Sequence, residues 1–496
     1  MVSVIKKLDK PVKKKFLTYG VGGILLSSFG LVLVGEYETM MAWWLVIILL
    51  MPPLLWALKT PYVALKTITI ISFVTQFVTV PFFYLNRDTF AFGNVKPFHF
   101  TAWEAFPMLA KVSIFLFALV LFFKLLYPIS WLGGTPSKVT NSNTQNIASK
   151  DRLNKYSDFD IRKNRNPLFF VSIIILMLAV LAPLNLWLYS KGIGLTGVES
   201  YRLPYRLSGI LFYLTKYVTP LILGYLYSKT KRDWPLMMLF LAYAWELGLC
   251  SISKGAVIMV MFPVIIFAWL DHRKIMFTFV SLVALLGVSF ASEARNYVYF
   301  VESGTSGADT SFSILTLLAK VFNSSDSKIW DLDFIPLLIS GILSRIEGFG
   351  NLVMAQFYDP DAVDGAWSFI LRMIWRNLAP FDVDLHSIQW QGYTLPIGFY
   401  NGGALLSNAV IVGNTSLWWV VISAMVTALI LVILEKSTKR LFQIYKLHAY
   451  ITTVVIGFFS MLYFAETGGS VTFVFPFLLI FILSWLPPLF HLDDNQ

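Results

Sequence analysis

The stretch Pro167-Leu-Phe-Phe-Val-Ser-Ile-Ile-Ile-Leu-Met-Leu-Ala-Val-Leu-Ala-Pro-Leu-Asn-Leu-Trp-Leu-Tyr189 contains no Asp, Glu, Lys or Arg. Its length matches a bilayer core of roughly 30 Å. The apolar residues are continuous and do not alternate with polar ones. In lipid the backbone must satisfy its own hydrogen bonds, so a helix or a closed barrel is required, and continuity selects the helix. Runs of this kind recur along the chain and are read as spans at 16–35, 40–58, 63–84, 107–127, 167–189, 207–227, 233–249, 255–270, 274–292, 415–434, 448–463 and 470–490. Composition agrees, with 57% of the 496 residues hydrophobic and 14% charged. The expected fold is all-α: a polytopic integral membrane protein of about twelve transmembrane helices.

Charge orients these spans. With the N-terminus and its Lys6, Lys7, Lys10, Lys13, Lys14 and Lys15 placed in the cytoplasm, the inner side receives about 23 basic residues, among them Lys59, Lys138, Arg232, Arg273, Lys436, Lys439, Arg440 and Lys446. The short outer loops receive about six: Arg87, Lys96, Lys191, Arg202, Arg206 and Lys254. This is the positive-inside pattern, with both termini cytoplasmic. The net charge of +11 then sits against anionic lipid and calls for no nucleic acid.

The chain divides into four N-terminal spans within 1–131, a polar cytoplasmic linker at 132–166, spans five to nine within 167–292, a large extracytoplasmic loop at 293–414 and three C-terminal spans within 415–496. The first apolar run has full span length and no small-residue cleavage pattern, so it is expected to remain as a signal anchor. Cys250 is the sole cysteine, which excludes an intrachain disulfide and a thiolate metal cluster.

The 293–414 loop holds about twelve acidic and six basic residues, and chemistry is expected there, where charge meets apolar helix. Residues 311–322 and 365–378 read as amphipathic helices, and Asp359-Pro-Asp361-Ala-Val-Asp364-Gly reads as a turn cluster. Arg372 and Arg376, four residues apart, share a helix face. They can offer two guanidinium forks to a phosphate or snorkel to lipid headgroups. Arg345 and Glu347 interrupt an apolar run. They can converge on a substrate, Glu347 as general base, or Glu347 can pair structurally with Arg295 or Lys254. Within the spans, Lys216 and Glu246 are ionisable groups of the kind that are paired or functional at that depth. Asp382-Val-Asp384-Leu-His386 has ligand-type residues, but no second histidine lies near it, so no metal is expected. His386 reads as a proton carrier or hydrogen-bond donor instead. No nucleotide-binding motif occurs, and Asn323-Ser-Ser and Asn414-Thr-Ser match the glycosylation triplet.

Three local stretches resemble a known family: Ser253-Lys254-Gly255 leading into a helix, Ser344-Arg345-Ile-Glu347-Gly-Phe, and Leu395-Pro-Ile-Gly-Phe-Tyr-Asn-Gly-Gly-Ala-Leu-Leu-Ser407 before the tenth span. With the span count and the late external loop, the chain resembles the O-antigen polymerases of the Wzy type and the wider polymerases and ligases of lipid-linked bacterial glycans. The Arg-x10-Gly spacing of some members is replaced here by Ser306 after Arg295 and Gln356 after Arg345. The resemblance implies a metal-independent, cofactor-free glycosyltransferase of the bacterial inner membrane. Its donor and acceptor would be undecaprenyl-pyrophosphate-linked oligosaccharides, with a flippase and a chain-length regulator as partners. It implies Arg295, Arg345, Arg372, Arg376 and Lys254 as pyrophosphate ligands, with Glu347 and then His386 as candidate bases. A lipid-linked oligosaccharide flippase or other secondary transporter would more often show internal repeats, and none is seen. An O-antigen ligase shares the architecture. A polyprenyl-phosphate sugar transferase would carry acidic residues in the first external loop, here only Gly35-Glu-Tyr-Glu-Thr39.

Overall fold

The structure is a computed structural model and describes residues 36–85, 100–129, 167–190, 211, 214–215, 219–228, 230, 233–251, 254–270, 273–297, 348–357, 365–375, 378, 405–444, 449–466 and 471–485. The described residues are helical, with no strand among them. Five of the helices are long and apolar enough to cross a membrane: Tyr37–Leu58, Val63–Pro81, Ala102–Leu126, Leu168–Ser190 and Leu417–Gln443. Their apolar side chains face outward as well as inward. Leu168, Leu176 and Val180 are more than half exposed, a surface suited to lipid and not to water.

The chain folds as two compact units, residues 137–341 and the remainder. In the first-and-last unit, α1 (Tyr37–Leu58), α2 (Val63–Leu85) and α3 (Ala102–Leu126) pack together. α1 and α2 are joined by a tight turn closed by Thr60, whose N–H and hydroxyl both donate to Ala57 O. Charge spent on caps explains where α3 begins. Thr101 and Glu104 form a reciprocal capping box, and Glu38 of α1 accepts the Ala102 N–H at 2.5 Å. Glu38 and Glu104 of the predicted outer loops thus serve as helix caps, while Glu36 accepts from the Thr39 hydroxyl at 3.0 Å.

The central unit contains α4 (Pro167–Ser190), α5 (Thr219–Ser228), α6 (Trp234–Cys250), α7 (Lys254–Leu270) and α8 (Lys274–Tyr297). Small residues let these helices approach closely. A Cβ on Gly248 of α6 would lie 2.3 Å from Val257 Cγ2 of α7. α8 continues past the predicted span end at 292, so Arg295 lies on its last turn and not in a loop.

The remaining elements of the first-and-last unit are α9 (Phe349–Gln356), α10 (Gly365–Ile374), α11 (Leu405–Thr415), α12 (Leu417–Ile444), α13 (Ala449–Glu466) and α14 (Val471–Trp485). α12 packs on α3 and runs ten residues beyond the predicted end of its span. The extension follows from Glu435. Its carboxylate is fully buried because it accepts the Ala64 N–H of α2 at 2.9 Å and the Lys439 ammonium at 2.5 Å. Lys436, Lys439 and Arg440, expected in a loop, are therefore helical. The first predicted span, 16–35, lies outside the described residues, and the sixth is described in part as α5.

Candidate functional site

The three short helices of the predicted external loop are packed into the helical unit. α11 is buried from Leu405 through Gly413 and touches α3, α9, α10, α12 and α13. α10 opens at Gly365, whose φ of +78° is a left-handed conformation that glycine adopts without a Cβ clash. Residues 359–364 of the predicted turn cluster lie outside the described residues. The helix ends at Ile374, four residues short of the predicted end, and Tyr463 of α13 holds its last turn by donating to Met373 O at 3.1 Å.

Arg372 lies on the buried face of α10 beside Phe369, Ile370 and Met373, and is 3% exposed. A side chain snorkelling to headgroups keeps its charged end in contact with the interface, and this one does not. Of the two readings of Arg372, lipid anchoring is therefore set aside. Trp367 on the same helix and Trp375 just past its end are exposed.

α9 is fixed at both ends by side chains from other helices. At its start, the Phe349 N–H donates to Thr79 Oγ1 of α2 at 2.8 Å. Thr79 in turn donates to Thr75 O at 2.6 Å. The preceding Gly348 lies against Thr79, and a Cβ there would meet Thr79 Cγ2 at 3.0 Å. At its end, Asn414 Nδ2 donates to Ala355 O at 2.9 Å and Gln356 O at 3.1 Å, the terminal carbonyls that a helix leaves unsatisfied. Lys111 of α3 completes the arrangement. Its Nζ donates to Asn414 Oδ1 at 2.5 Å and to Gln356 Oε1 at 3.0 Å. Both acceptors are neutral amides. The negative end of the α9 dipole lies beside the ammonium. Among the described residues these two amide oxygens are its acceptors. The lysine stem crosses α11 at Gly413, where a Cβ would lie 2.9 Å from Lys111 Cδ.

In the central unit, Glu246 of α6 accepts from Asn185 Nδ2 of α4 at 3.1 Å and from Cys250 Sγ at 3.6 Å. Its described partners are neutral. Lys216 lies outside the described residues. Lys254 is the first residue of α7 and Arg295 belongs to the last turn of α8. Arg345, Glu347, Arg376, Asp382, Asp384 and His386 lie outside the described residues, as do the predicted helix at 311–322 and Asn323.

The structure thus brings Arg372 into the helical unit and adds Lys111, Gln356 and Asn414, none of which was read as functional. Lys111 carried the same signal as Lys216, a charge inside an apolar run. Asn414 was legible only as a glycosylation triplet, whereas its side chain is committed to α9. Comparison with protein families, with curated proteins and with solved structures returns no match for this chain.

Proposed function

We infer that the protein is an integral-membrane glycosyltransferase that polymerises lipid-linked oligosaccharide repeat units of a bacterial surface polysaccharide. The observation that carries this reading is Arg372: a guanidinium held inside a helical unit, on a segment outside the five span-length helices. Burying a charge in such surroundings is costly, and ionisable groups retained there are functional-site candidates. Lys111 supports it, since α3 and α10 both pack on α11. A second cation on a neighbouring element adds to the positive potential that would draw an anionic substrate.

In the proposed reaction a sugar hydroxyl of one lipid-linked repeat attacks the anomeric carbon of the glycan on undecaprenyl pyrophosphate. The new glycosidic C–O bond forms as the anomeric carbon–pyrophosphate bond breaks. The hydroxyl proton passes to Glu347, with His386 as the second candidate. Undecaprenyl pyrophosphate leaves with its charge neutralised by Arg372, with Arg345, Arg376, Arg295 and Lys254 as the further ligands proposed from the sequence. No metal or cofactor enters this scheme. The membrane proposed is the bacterial inner membrane, with both termini cytoplasmic, residues 293–414 facing out, twelve spans in all, and a flippase and a chain-length regulator as working partners.

The capping roles of Glu38 and Glu104 weigh against a sugar transferase that uses acidic residues of the first outer loops. Lys111 and Glu246, ionisable groups within apolar helices, favour the transporter alternative. The glycan length ladder separates these readings. Arg372→Ala and Arg345→Ala, checked for protein level in a strain lacking the native copy, are expected to abolish long chains while single repeats still reach the final acceptor. Removing one such donor costs about 2.7–4 kcal/mol of barrier, or 10²–10³ in rate. Lysine at either position keeps charge but loses the fork and should be intermediate. Loss of every attached repeat would indicate a ligase or flippase, and a full ladder from both alanine variants would overturn the reading.

A further inference from the structure

Helix α9 is eight residues long, too short to hold itself helical in isolation. Its place is set from outside, by Thr79 at its start and by the Lys111–Asn414 pair at its end. Of these, Lys111 reaches furthest. It is anchored in α3 and bonds a side chain of α9 through Gln356 and a side chain of α11 through Asn414, so one ammonium ties three helices. Asn414 cannot do this alone. Its amide donates to the α9 carbonyls, but its oxygen faces Lys111, and without that donor the oxygen would lose its described charged partner. Gly413 is the matching feature on α11, because any side chain there would collide with the lysine stem and with Val420 Cγ2 at 2.8 Å. α11 in turn packs on α10, which carries Arg372.

We propose that Lys111 is a positioning residue for the transfer reaction: its ammonium locks α9 and α11 onto α3, and through α11 sets α10 and Arg372 in place. This rests on the reading of the protein as a glycan polymerase for its effect on product, but the lock itself is independent of that reading. The role differs from ligand binding, since Lys111 acts through Gln356 and Asn414.

The test separates the lock from the activity. Asn351 of α9 is 5% exposed, and its Nδ2 has no hydrogen-bond partner among the described residues, so Asn351→Cys is a thiol reporter that breaks no described side-chain bond. It is made in a Cys250→Ser background, which removes the native thiol. Maleimide labelling in membranes is expected to be slow in this parent. Lys111→Met should accelerate it by about tenfold or more, the scale set by one charged hydrogen bond. Lys111→Arg, which keeps a cationic donor, should restore slow labelling and the long-chain ladder together. Asn414→Ala serves as a second variant should Lys111→Met fail to accumulate, and should also speed labelling.

Fast labelling with loss of long chains in Lys111→Met, and recovery of both in Lys111→Arg, supports the proposal. Unchanged labelling in both Lys111→Met and Asn414→Ala overturns the lock. Fast labelling with a full ladder overturns the positioning role while leaving the lock. Loss of both in Lys111→Arg as well would make the site intolerant of any change and overturn the assignment of the effect to the cation. If the parent protein makes no ladder at all, the polymerase reading fails, and the labelling arm still decides the lock.

Discussion

The unit built from α1–α3 and α9–α14 carries a lysine-centred node towards each end of α3, and the two are built on opposite principles. Beyond the C-terminus of α3, Lys439 meets the buried carboxylate of Glu435 and the hydroxyl of Tyr127, while Lys436 donates to Ile129 O at 2.7 Å. Charge meets charge, and Glu435 also serves the start of α2. About 24 Å away along α3, taking 1.5 Å per residue, Lys111 meets, among the described residues, the amide oxygens of Gln356 and Asn414. In the first node the Glu435–Lys439 pair is neutral, and its carboxylate staples α12 to α2. The second leaves a positive charge inside the bundle, beside the layer of short helices that holds Arg372. A cation kept at that cost marks the end where an anionic substrate is proposed to bind.

The sharpest way to break the comparison is to ask which side of the membrane each node faces. The basic-residue asymmetry places the Glu435 node inside and the Lys111 node outside. A reporter fused at position 310 is expected to be active only outside the cytoplasm, an all-or-none result. Cytoplasmic activity there would put Lys111 on the wrong side for an externally assembled glycan.

Next in size is removal of the staple. Glu435→Leu leaves the buried Ala64 N–H and the partly exposed Lys439 ammonium without their carboxylate. An unsatisfied buried N–H costs about 1–3 kcal/mol, and loss of the partly exposed ion pair adds up to about 1 kcal/mol. The expected outcome is a large fall in the temperature at which the detergent-solubilised protein loses its monodisperse peak, and lower protein level. Glu435→Gln keeps an acceptor for Ala64 and should fall between. A Glu435→Leu protein as heat-stable as the parent would show that the node holds nothing together.

The helices were legible because length and continuous apolarity report directly on a bilayer: the described helices α1 to α4, α6 to α8 and α12 to α14 begin within a few residues of their predicted starts. What escaped was polar chemistry between elements distant in sequence. Glu435 is 371 residues from Ala64, and Lys111 is 303 from Asn414. Nothing local to either residue announces its partner. The segment 293–414 reads as loop because its apolar runs are short, yet α9, α10 and α11 are buried because they lean on longer helices. Burial of α11 in particular cannot be read from eleven residues with two asparagines, a serine and a glycine. Arg372 was found from its charge in an apolar run, but its burial had to come from the fold.

Glycine substitutions sharpen the contrast at smaller scale. Gly413→Ala should drive a methyl against both Val420 and the Lys111 stem, costing about 1–3 kcal/mol as overpacking does. The flexible lysine can yield and the β-branched valine cannot. If Lys111 is the lock, this variant should also speed maleimide labelling of the Asn351→Cys reporter. Gly248→Ala in the central unit meets Val257 at 2.3 Å and should cost a similar amount of stability, but with no effect on that labelling. Equal labelling in the two variants would mean that the reporter senses general loosening and not the Lys111 node.

The smallest effect is expected at Glu246, which mirrors Lys111 in sign: a potential anion with neutral partners. Asn185 reaches it across from α4 at 3.1 Å, while Cys250, one turn along the same helix, offers a thiol at 3.6 Å. A thiol is a weak donor, and a contact within one helix ties no second element in place. Cys250→Ser should therefore shift thermal stability by less than about 1 kcal/mol, whereas Asn185→Leu, which leaves a buried acceptor without its interhelical donor, should cost about 1–3 kcal/mol. The same heating assay in detergent reads both. The order matters more than the size. If Cys250→Ser were the more damaging of the two, the thiol would be the group that holds Glu246, and the tie between α4 and α6 would have to lie in their apolar packing alone.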